Sequence, residues 1–203
     1  MGAWIPPEGA PPLPWERIEA SLRASHRGPK PHFLHALAPS SPRRAAVAVL
    51  LWGDAAGARK IVLVQRGFGA PRHPGELAFP GGMEETWDRD LPATARRELD
   101  EELGVHSGLW ELGCFADGLA KAEIRFTPVF FRWEVPAPQF ALGPEILDVL
   151  LLPLLPLMQA PWTLETLPIR GAELRVPRLE LTQAPLWGAT AFVLKAWLDL
   201  LGT

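Results

Sequence analysis

Apolar and polar positions along the chain mark out strands and helices. "AAVAVLLW" (45–52) is an unbroken apolar run of strand length, "GDAAGA" a turn, and "KIVLVQRG" (60–67) the second arm of a hairpin. "LWELGCFAD" and "AEIRFTPVFFRWEV" read as strands, the second long enough to be central. "ELRVPRLELT" suggests another hairpin, and "GPEILDVLLLPL" mixes a turn, a short helix and a strand end. Helical spacing marks three stretches. "PWERIEASLRAS" (14–25) is opened by Pro14, a residue favoured at helix starts. From about Pro92 to Gly104, the residues Ala95, Leu99 and Leu103 form an apolar stripe that would dock on a sheet, and Gly104 suits a left-handed cap. "LWGATAFVLKAWLDLLG" sets Ala189, Phe192, Val193, Ala196, Trp197 and Leu200 at helical spacing and predicts a packing helix. Irregular alternation of strands and helices implies an α/β fold with a mixed sheet and helices on its faces.

Gly and Pro punctuation sets the domain organisation. Residues 1–14 are proline-rich and expected to form an extended arm on the surface, and "HRGPKPHFLHALAPSSPRR" reads as a linker. The division expected is a proline-rich N-terminal arm with a short helix over 1–42, then one globular domain over 43–203. There is no internal repeat.

Composition changes this picture little. The chain has 203 residues, 48% apolar and 21% charged, which is ordinary for a globular protein with a real core. A net charge of −3 with no polybasic block argues against nucleic-acid and membrane-surface partners. Cys114 is the single cysteine, so an intrachain disulfide and zinc sites of several cysteines are excluded; it suits a reducing cytosol, and a cytoplasmic location is expected. The N-terminus lacks the basic start and apolar core of a secretory signal. "ILDVLLLPLLPLM" is too short for a membrane span and is interrupted by Pro153 and Pro156. Abundant proline, more Arg than Lys and no Tyr fit a GC-rich coding bias or thermal adaptation and carry no chemistry.

Charge does carry chemistry. In "FPGGMEETWDRDLPATARRELDEELGV" (79–105) four acids, Glu98, Asp100, Glu101 and Glu102, fall within five consecutive positions. Like charges three or four apart on a helix cost roughly 0.2–0.5 kcal/mol per pair. At about 100° per residue, Glu98, Glu101 and Glu102 share an arc beside the apolar stripe. Asp100 and Arg96 point to the solvated side as an i,i+4 pair, and Arg97 can brace Glu101 one turn on. Carboxylates crowded at the margin of a core need a cation, and oxygen-only donors point to Mg²⁺, Mn²⁺ or Ca²⁺ rather than zinc or copper. An EF-hand fails, because Ala93 stands where the turn glycine belongs and Pro92 where a ligand belongs. A merely solvated charged face is the bland alternative; the preceding Gly-Gly turn and the bordering stripe favour the metal.

These residues resemble the Nudix hydrolase box. Its second half is matched without a gap by Arg97, Glu98, Leu99, Asp100, Glu101, Glu102, Leu103, Gly104 and Val105. Counting from Gly82, the loop acid is Asp88 rather than Glu, and eight residues instead of seven separate it from Arg97. That departure resembles the coenzyme A pyrophosphatase branch. Upstream, "APRHPGELAFPGG" supplies His73, Gly75, Glu76 and Phe79-Pro80-Gly81-Gly82, with Arg72 one place late and Pro71 at the expected position. "LVQRG" resembles the branch only in part, whereas "FTPVFF" (126–131), "PEILDVLLLPL" (144–154) and "LWGATAFVL" (186–194) are also similar, so the resemblance spans about residues 45–200.

The resemblance implies a Nudix-type α/β/α sandwich with a mixed β-sheet and a loop-helix-loop catalytic box, the 43–203 unit being the hydrolase domain. Glu98, Glu101 and Glu102 would hold Mg²⁺ or Mn²⁺ together with the Gly81 carbonyl, and Arg97 would orient Glu101 and the loop. Glu98 is the first choice as general base and Glu145 the second, although Glu145 also reads as a helix-start acid stabilised by the dipole. Asp88 reads equally as an outer metal contact or a turn residue. Arg66, Arg72, His73 and Gly82 are expected on the substrate side, Arg being suited to phosphate. Phe79 is expected in the core, and Trp87 is the one tryptophan placed in the active-site loop. The reaction implied is hydrolysis of the pyrophosphate of coenzyme A or acyl-CoA to 3′,5′-ADP and (acyl-)phosphopantetheine. The shifted Arg72 keeps ADP-ribose or a dinucleotide open as substrate. A non-catalytic nucleotide-binding domain is opposed by the intact glutamate set. The partner is thus a small nucleotide, and a homodimer is compatible with the resemblance.

Overall fold

A computed structural model describes residues 2–6, 12–25, 42–53, 57–70, 73–120, 124–169 and 172–202. The linker expected after residue 25, the centre of the "GDAAGA" turn and part of the N-terminal arm lie outside the described residues.

Strand β1 (Arg43–Gly53) organises the main sheet. One edge runs parallel to β7 (Ile124–Trp133) over its whole length. The other edge is shared. The Gly53 end pairs antiparallel with β2 (Arg59–Arg66), and the Ala45–Val47 end with β4 (Gly81–Met83). β2 also pairs with the two-residue β3 (Leu77–Ala78) and, on its far side, with β8 (Ile146–Pro153). β7 carries β5 (Leu109–Cys114) and β6 (Gly118–Ala120) on its outer edge. A separate hairpin joins β9 (Thr163–Ile169) to β10 (Ala172–Arg178).

Period-two alternation along β1 splits the core into two. Ala46, Ala48, Leu50 and Trp52 face helix α2 (Leu91–Leu103), packing with its Ala95, Leu99 and Leu103 and with Val129, Phe131 and Trp133 of β7. Val49 and Leu51 face the other way, towards α1 (Trp15–Ser25), the short α3 (Leu154–Met158) and α4 (Gly188–Gly202). Burial on both faces is why β1 and β2 read as continuous apolar runs. The result is the expected α/β/α sandwich about a mixed sheet.

Helix α1 belongs to this core. Ile18 and Leu22 are buried in it, Arg17 Nε donates to the Leu201 carbonyl at 3.0 Å, and the Trp197 indole N–H donates to Ser21 Oγ at 2.9 Å. Trp197 also meets the edge of Phe130 at 4.8 Å between ring centres. The arm ahead of it is tied down as well: the Trp4 amide donates to the Glu180 carbonyl, and Trp4 bridges Leu181 in parallel register.

Three element assignments differ from the sequence reading. "GPEILDVLLLPL" is a turn followed by an eight-residue strand, and the helix comes only after Pro153, because pairing with β2 overrides local preference. "ELRVPR" is the second arm of a hairpin whose first arm is "TLETLPI". In α4 the buried residues are Ala191, Val193, Leu194, Trp197, Leu198 and Leu201, and Ala189 is exposed. The helix is apolar nearly all round, so spacing alone could not choose its inner face.

Trp197→Ala should cost about 3–5 kcal/mol in urea denaturation, since it removes a buried ring, an edge contact and the bond to Ser21. Loss of under about 1 kcal/mol, the scale of an ordinary surface change, would show that the α1–α4 seam is not part of the cooperative unit.

Candidate active site

Helix α2 has well-defined ends. Asp90 is the N-cap, its carboxylate accepting the Ala93 amide at 2.8 Å, and Pro92 occupies the first turn, where no N–H is required. At the other end Gly104 has φ 66°, the left-handed value only glycine takes without strain, and its amide donates to the Asp100 carbonyl. The loop before β8 also serves this end: the Ala141 amide donates to the Leu103 carbonyl and the Gly143 amide to the Glu102 carbonyl, each at 2.9 Å. A side chain at 143 would collide with the Glu101 carbonyl, at 2.5 Å from a Cβ there. Glycine at this position therefore brings Glu145 towards α2.

Arg97 gathers the acids. Its Nε donates to Asp88 Oδ1 at 3.2 Å, and Nη2 to Asp88 Oδ2 at 3.1 Å and the Met83 carbonyl at 2.9 Å. Nη1 donates to Glu98 Oε1 at 2.8 Å and Glu101 Oε2 at 2.9 Å. Asp88 is almost fully covered and also accepts from the Glu85 amide and the Thr94 hydroxyl. The hydrogen bonds from Arg97 hold its carboxyl well down, at about 2, against the upward push of burial. Asp88 is thus both the turn residue and the anchor of Arg97; among the described residues its contacts lead to Arg97, Thr94 and Glu85. Thr94, fully buried and bonded to Asp88, was not singled out in the sequence; its place four residues after the Asp90 cap was the available signal.

The remaining acids meet β4 and the end of β2. A Cβ at Gly82 would lie 2.2 Å from Glu98 Oε1, so this carboxylate rests on glycine backbone. Gly81 approaches β1 as closely, 2.5 Å from the Ala46 carbonyl to a Cβ, and its amide donates to Glu102 Oε2 at 3.3 Å. Arg66 reaches Glu102 Oε1 at 3.4 Å and Glu145 Oε2 at 2.5 Å. Burial pushes the Glu98 carboxyl up despite Arg97. Burial and the neighbouring Glu98 push Glu102 to about 7, against the pull of Arg66 and the Gly81 amide.

The site residues expected from sequence thus largely converge: Arg66, Gly81, Gly82, Asp88, Arg97, Glu98, Glu101, Glu102 and Glu145. Glu145 does not start a helix. It lies in the turn before β8, and its partner is a guanidinium rather than a helix dipole. Arg96 and Asp100 do not pair with each other; Arg96 reaches Glu111 and lies over the Phe131 ring, and Asp100 meets His106. His73 has φ 53° and contacts Glu76 at 2.9 Å in the loop above β3. Phe79 is buried and Trp87 is 73% exposed. Arg72 lies outside the described residues.

Among the described residues, no three His, Cys, Asp or Glu side chains stand assembled as a ready-made ion site. The donor set nevertheless fits a hard divalent cation. Glu98 and Glu102 are oxygen donors partly out of water, each disfavoured as an anion, and Glu101 shares the Arg97 guanidinium with Glu98.

Comparison with known proteins decides the family: the NUDIX domain matches residues 42–170, well over half of the chain. The chain belongs to the Nudix hydrolase superfamily. Nudix hydrolase 22, chloroplastic, of Arabidopsis thaliana is 34% identical over 89 residues, 43% of this chain and 30% of that protein. The peroxisomal coenzyme A diphosphatase ndx-8 of Caenorhabditis elegans is 43% identical over 63 residues, 30% of this chain and 27% of that protein. The matched stretch is therefore under a third of the length of these curated relatives. Among solved structures, a MutT/nudix family protein from Enterococcus faecalis is 18% identical, with a TM-score of 0.49 over 94% of this chain and 75% of that one. At that level the assignment rests on the domain match and the Nudix box. No helix among the described residues is long and apolar enough to cross a membrane.

Asp88→Asn should cost about 1–3 kcal/mol at neutral pH, because it weakens a buried acceptor of charged hydrogen bonds. Asp88 has a depressed pKa, so its stabilisation is present above the unfolded value of 3.8 and is lost as pH falls towards about 2. Denaturation curves of wild type and variant should therefore converge between pH 4 and pH 2. A constant gap would refute the anchoring role.

Proposed function

We propose that the protein is a metal-dependent Nudix pyrophosphohydrolase that splits coenzyme A or acyl-CoA into 3′,5′-ADP and (acyl-)phosphopantetheine. The observation that carries the hydrolase reading is the placement of Glu98 and Glu102 against the Gly82 and Gly81 backbone, with Glu101 joined to Glu98 through Arg97. Support for coenzyme A comes from the loop acid Asp88 with its extra residue, the "FPGG" segment, and the local similarity to a coenzyme A diphosphatase.

Glu98, Glu101 and Glu102 would hold Mg²⁺ or Mn²⁺, with the Gly81 carbonyl as a further oxygen donor. The ion, when bound, neutralises the pyrophosphate and lowers the pKa of water. Glu98 accepts the proton of the attacking water. Burial raises the proton affinity of its carboxyl above the ordinary carboxylate value, and Arg97 holds one of its two oxygens. Gly82 leaves that carboxylate room against the backbone. Arg66, at the mouth of the site beside Glu145, contacts the phosphates, joined by Arg72 and His73 of the following loop. Asp88 positions Arg97 and touches no substrate. The 43–203 unit carries the activity, and the location is cytoplasmic, in keeping with a lone thiol.

The test is turnover with Mg²⁺ or Mn²⁺ of coenzyme A, acetyl-CoA, ADP-ribose and a diadenosine polyphosphate, with products identified by mass. Release of 3′,5′-ADP is expected. Turnover of ADP-ribose with none of coenzyme A would overturn the substrate, and nucleotide binding without turnover of any of the four would overturn the enzyme. Glu102→Gln should lose on the order of a hundredfold or more in rate. It should melt no lower than wild type at neutral pH, since the neutral amide avoids the burial that disfavours the Glu102 anion. Near-normal turnover would refute the metal assignment.

A further inference from the structure

Arg66 is placed with unusual care for a surface-facing arginine. Its amide donates to the Glu76 carbonyl at 2.9 Å, and its carbonyl accepts the Gly75 amide at 3.0 Å, so the backbone of this strand end is fixed from both sides. Its guanidinium, largely covered, spans Glu102 at 3.4 Å and Glu145 at 2.5 Å. Neither acid is there by side-chain wandering. Glu102 is held by the Gly81 amide, and the backbone of Glu145 by the Gly67 amide at 2.8 Å. The Gly143 amide, bonded to the Glu102 carbonyl, ties the two segments together. One guanidinium is thus strung between a buried carboxylate of the Nudix box and a more open carboxylate outside it.

The two contacts are unequal. The shorter goes to Glu145, which is 48% exposed, and the longer to Glu102, which is 13% exposed. A dication entering among Glu98, Glu101 and Glu102 would need the Glu102 oxygens and would repel a guanidinium resting on them. Surrendering the long contact while keeping the short one relieves that repulsion without setting Arg66 adrift.

We propose that Arg66 competes with the divalent ion for Glu102, and that Glu145 is the positioning residue that retains Arg66 when the ion takes its place. This rests on the reading of Glu98, Glu101 and Glu102 as the ion's ligands. In the resting enzyme Arg66 supplies counter-charge to Glu102; in the loaded enzyme it stays at the mouth of the site, available to an anionic substrate. Substrate-free protein consequently binds the ion less tightly than its carboxylates alone would allow.

The test is Mn²⁺ binding to the full, substrate-free chain, by calorimetry and electron paramagnetic resonance, for wild type, Arg66→Met, Glu145→Gln and the double variant. Arg66→Met should tighten Mn²⁺ binding about tenfold, the scale of one charged hydrogen bond. Glu145→Gln should weaken it about threefold in the wild-type background and leave it unchanged in the Arg66→Met background. If Glu145→Gln weakens binding equally in both backgrounds, Glu145 acts on the ion directly and the proposal falls. It falls too if Arg66→Met leaves the affinity unchanged or lower in a protein whose thermal melt shows it folded. Should that variant not fold, Arg66→Gln carries the same expectation. Absence of Mn²⁺ binding by wild type would instead overturn the metal reading beneath it.

Discussion

A single guanidinium holds the Nudix box together. Arg97 has five N–H groups, and its five hydrogen bonds go to Asp88 (twice), Met83, Glu98 and Glu101. Those acceptors come from the loop after β4, from β4 itself and from two positions along α2. Without Arg97 the acids of the helix would face each other across a partly dry space. With it, the repulsion becomes a fixed arrangement, and the loop from Met83 to Asp88 is bound to the helix it precedes. A lysine could supply the charge but not the planar fork.

Arg97 does not balance the site. Asp88, Glu98, Glu101, Glu102 and Glu145 are five carboxylates, and among the described residues the guanidiniums bonded to them are Arg66 and Arg97. The surplus falls where burial is greatest among the box glutamates, at Glu98 and Glu102, whose carboxyls are both pushed up. The fold tolerates the surplus because α2 is secured elsewhere: Ala95, Leu99 and Leu103 are fully buried against β1 and β7, and both helix ends are capped. Packing thus holds in place a set of charges that would not choose to assemble.

What the sequence disclosed follows physical length scales. β1, β2 and α2 were legible because each is long enough for its apolar pattern to repeat, and the Gly104 cap because only glycine sits comfortably at its φ. β3, β4 and β6 were not, being two or three residues long and defined by their neighbours. The glutamate arc beside the apolar stripe was readable from helical geometry. The partners of Glu145, Arg96 and Asp100 were not, since each is set by an element distant in sequence or by a loop path. Asp88 shows the boundary well. The sequence marked it as unusual, but only the folded loop shows that its carboxylate is spent on Arg97.

The Gly81–Gly82 pair has a consequence for how this chain can change over generations. Gly81 is pressed against β1 and Gly82 against the Glu98 carboxylate, so the strand has no free side. Every single-base change in a glycine codon that alters the residue adds a side chain or stops the chain. Neither position therefore has a gradual route to another residue. Variation in this chain should accumulate in the loops on either side of β4 while these two codons stand still.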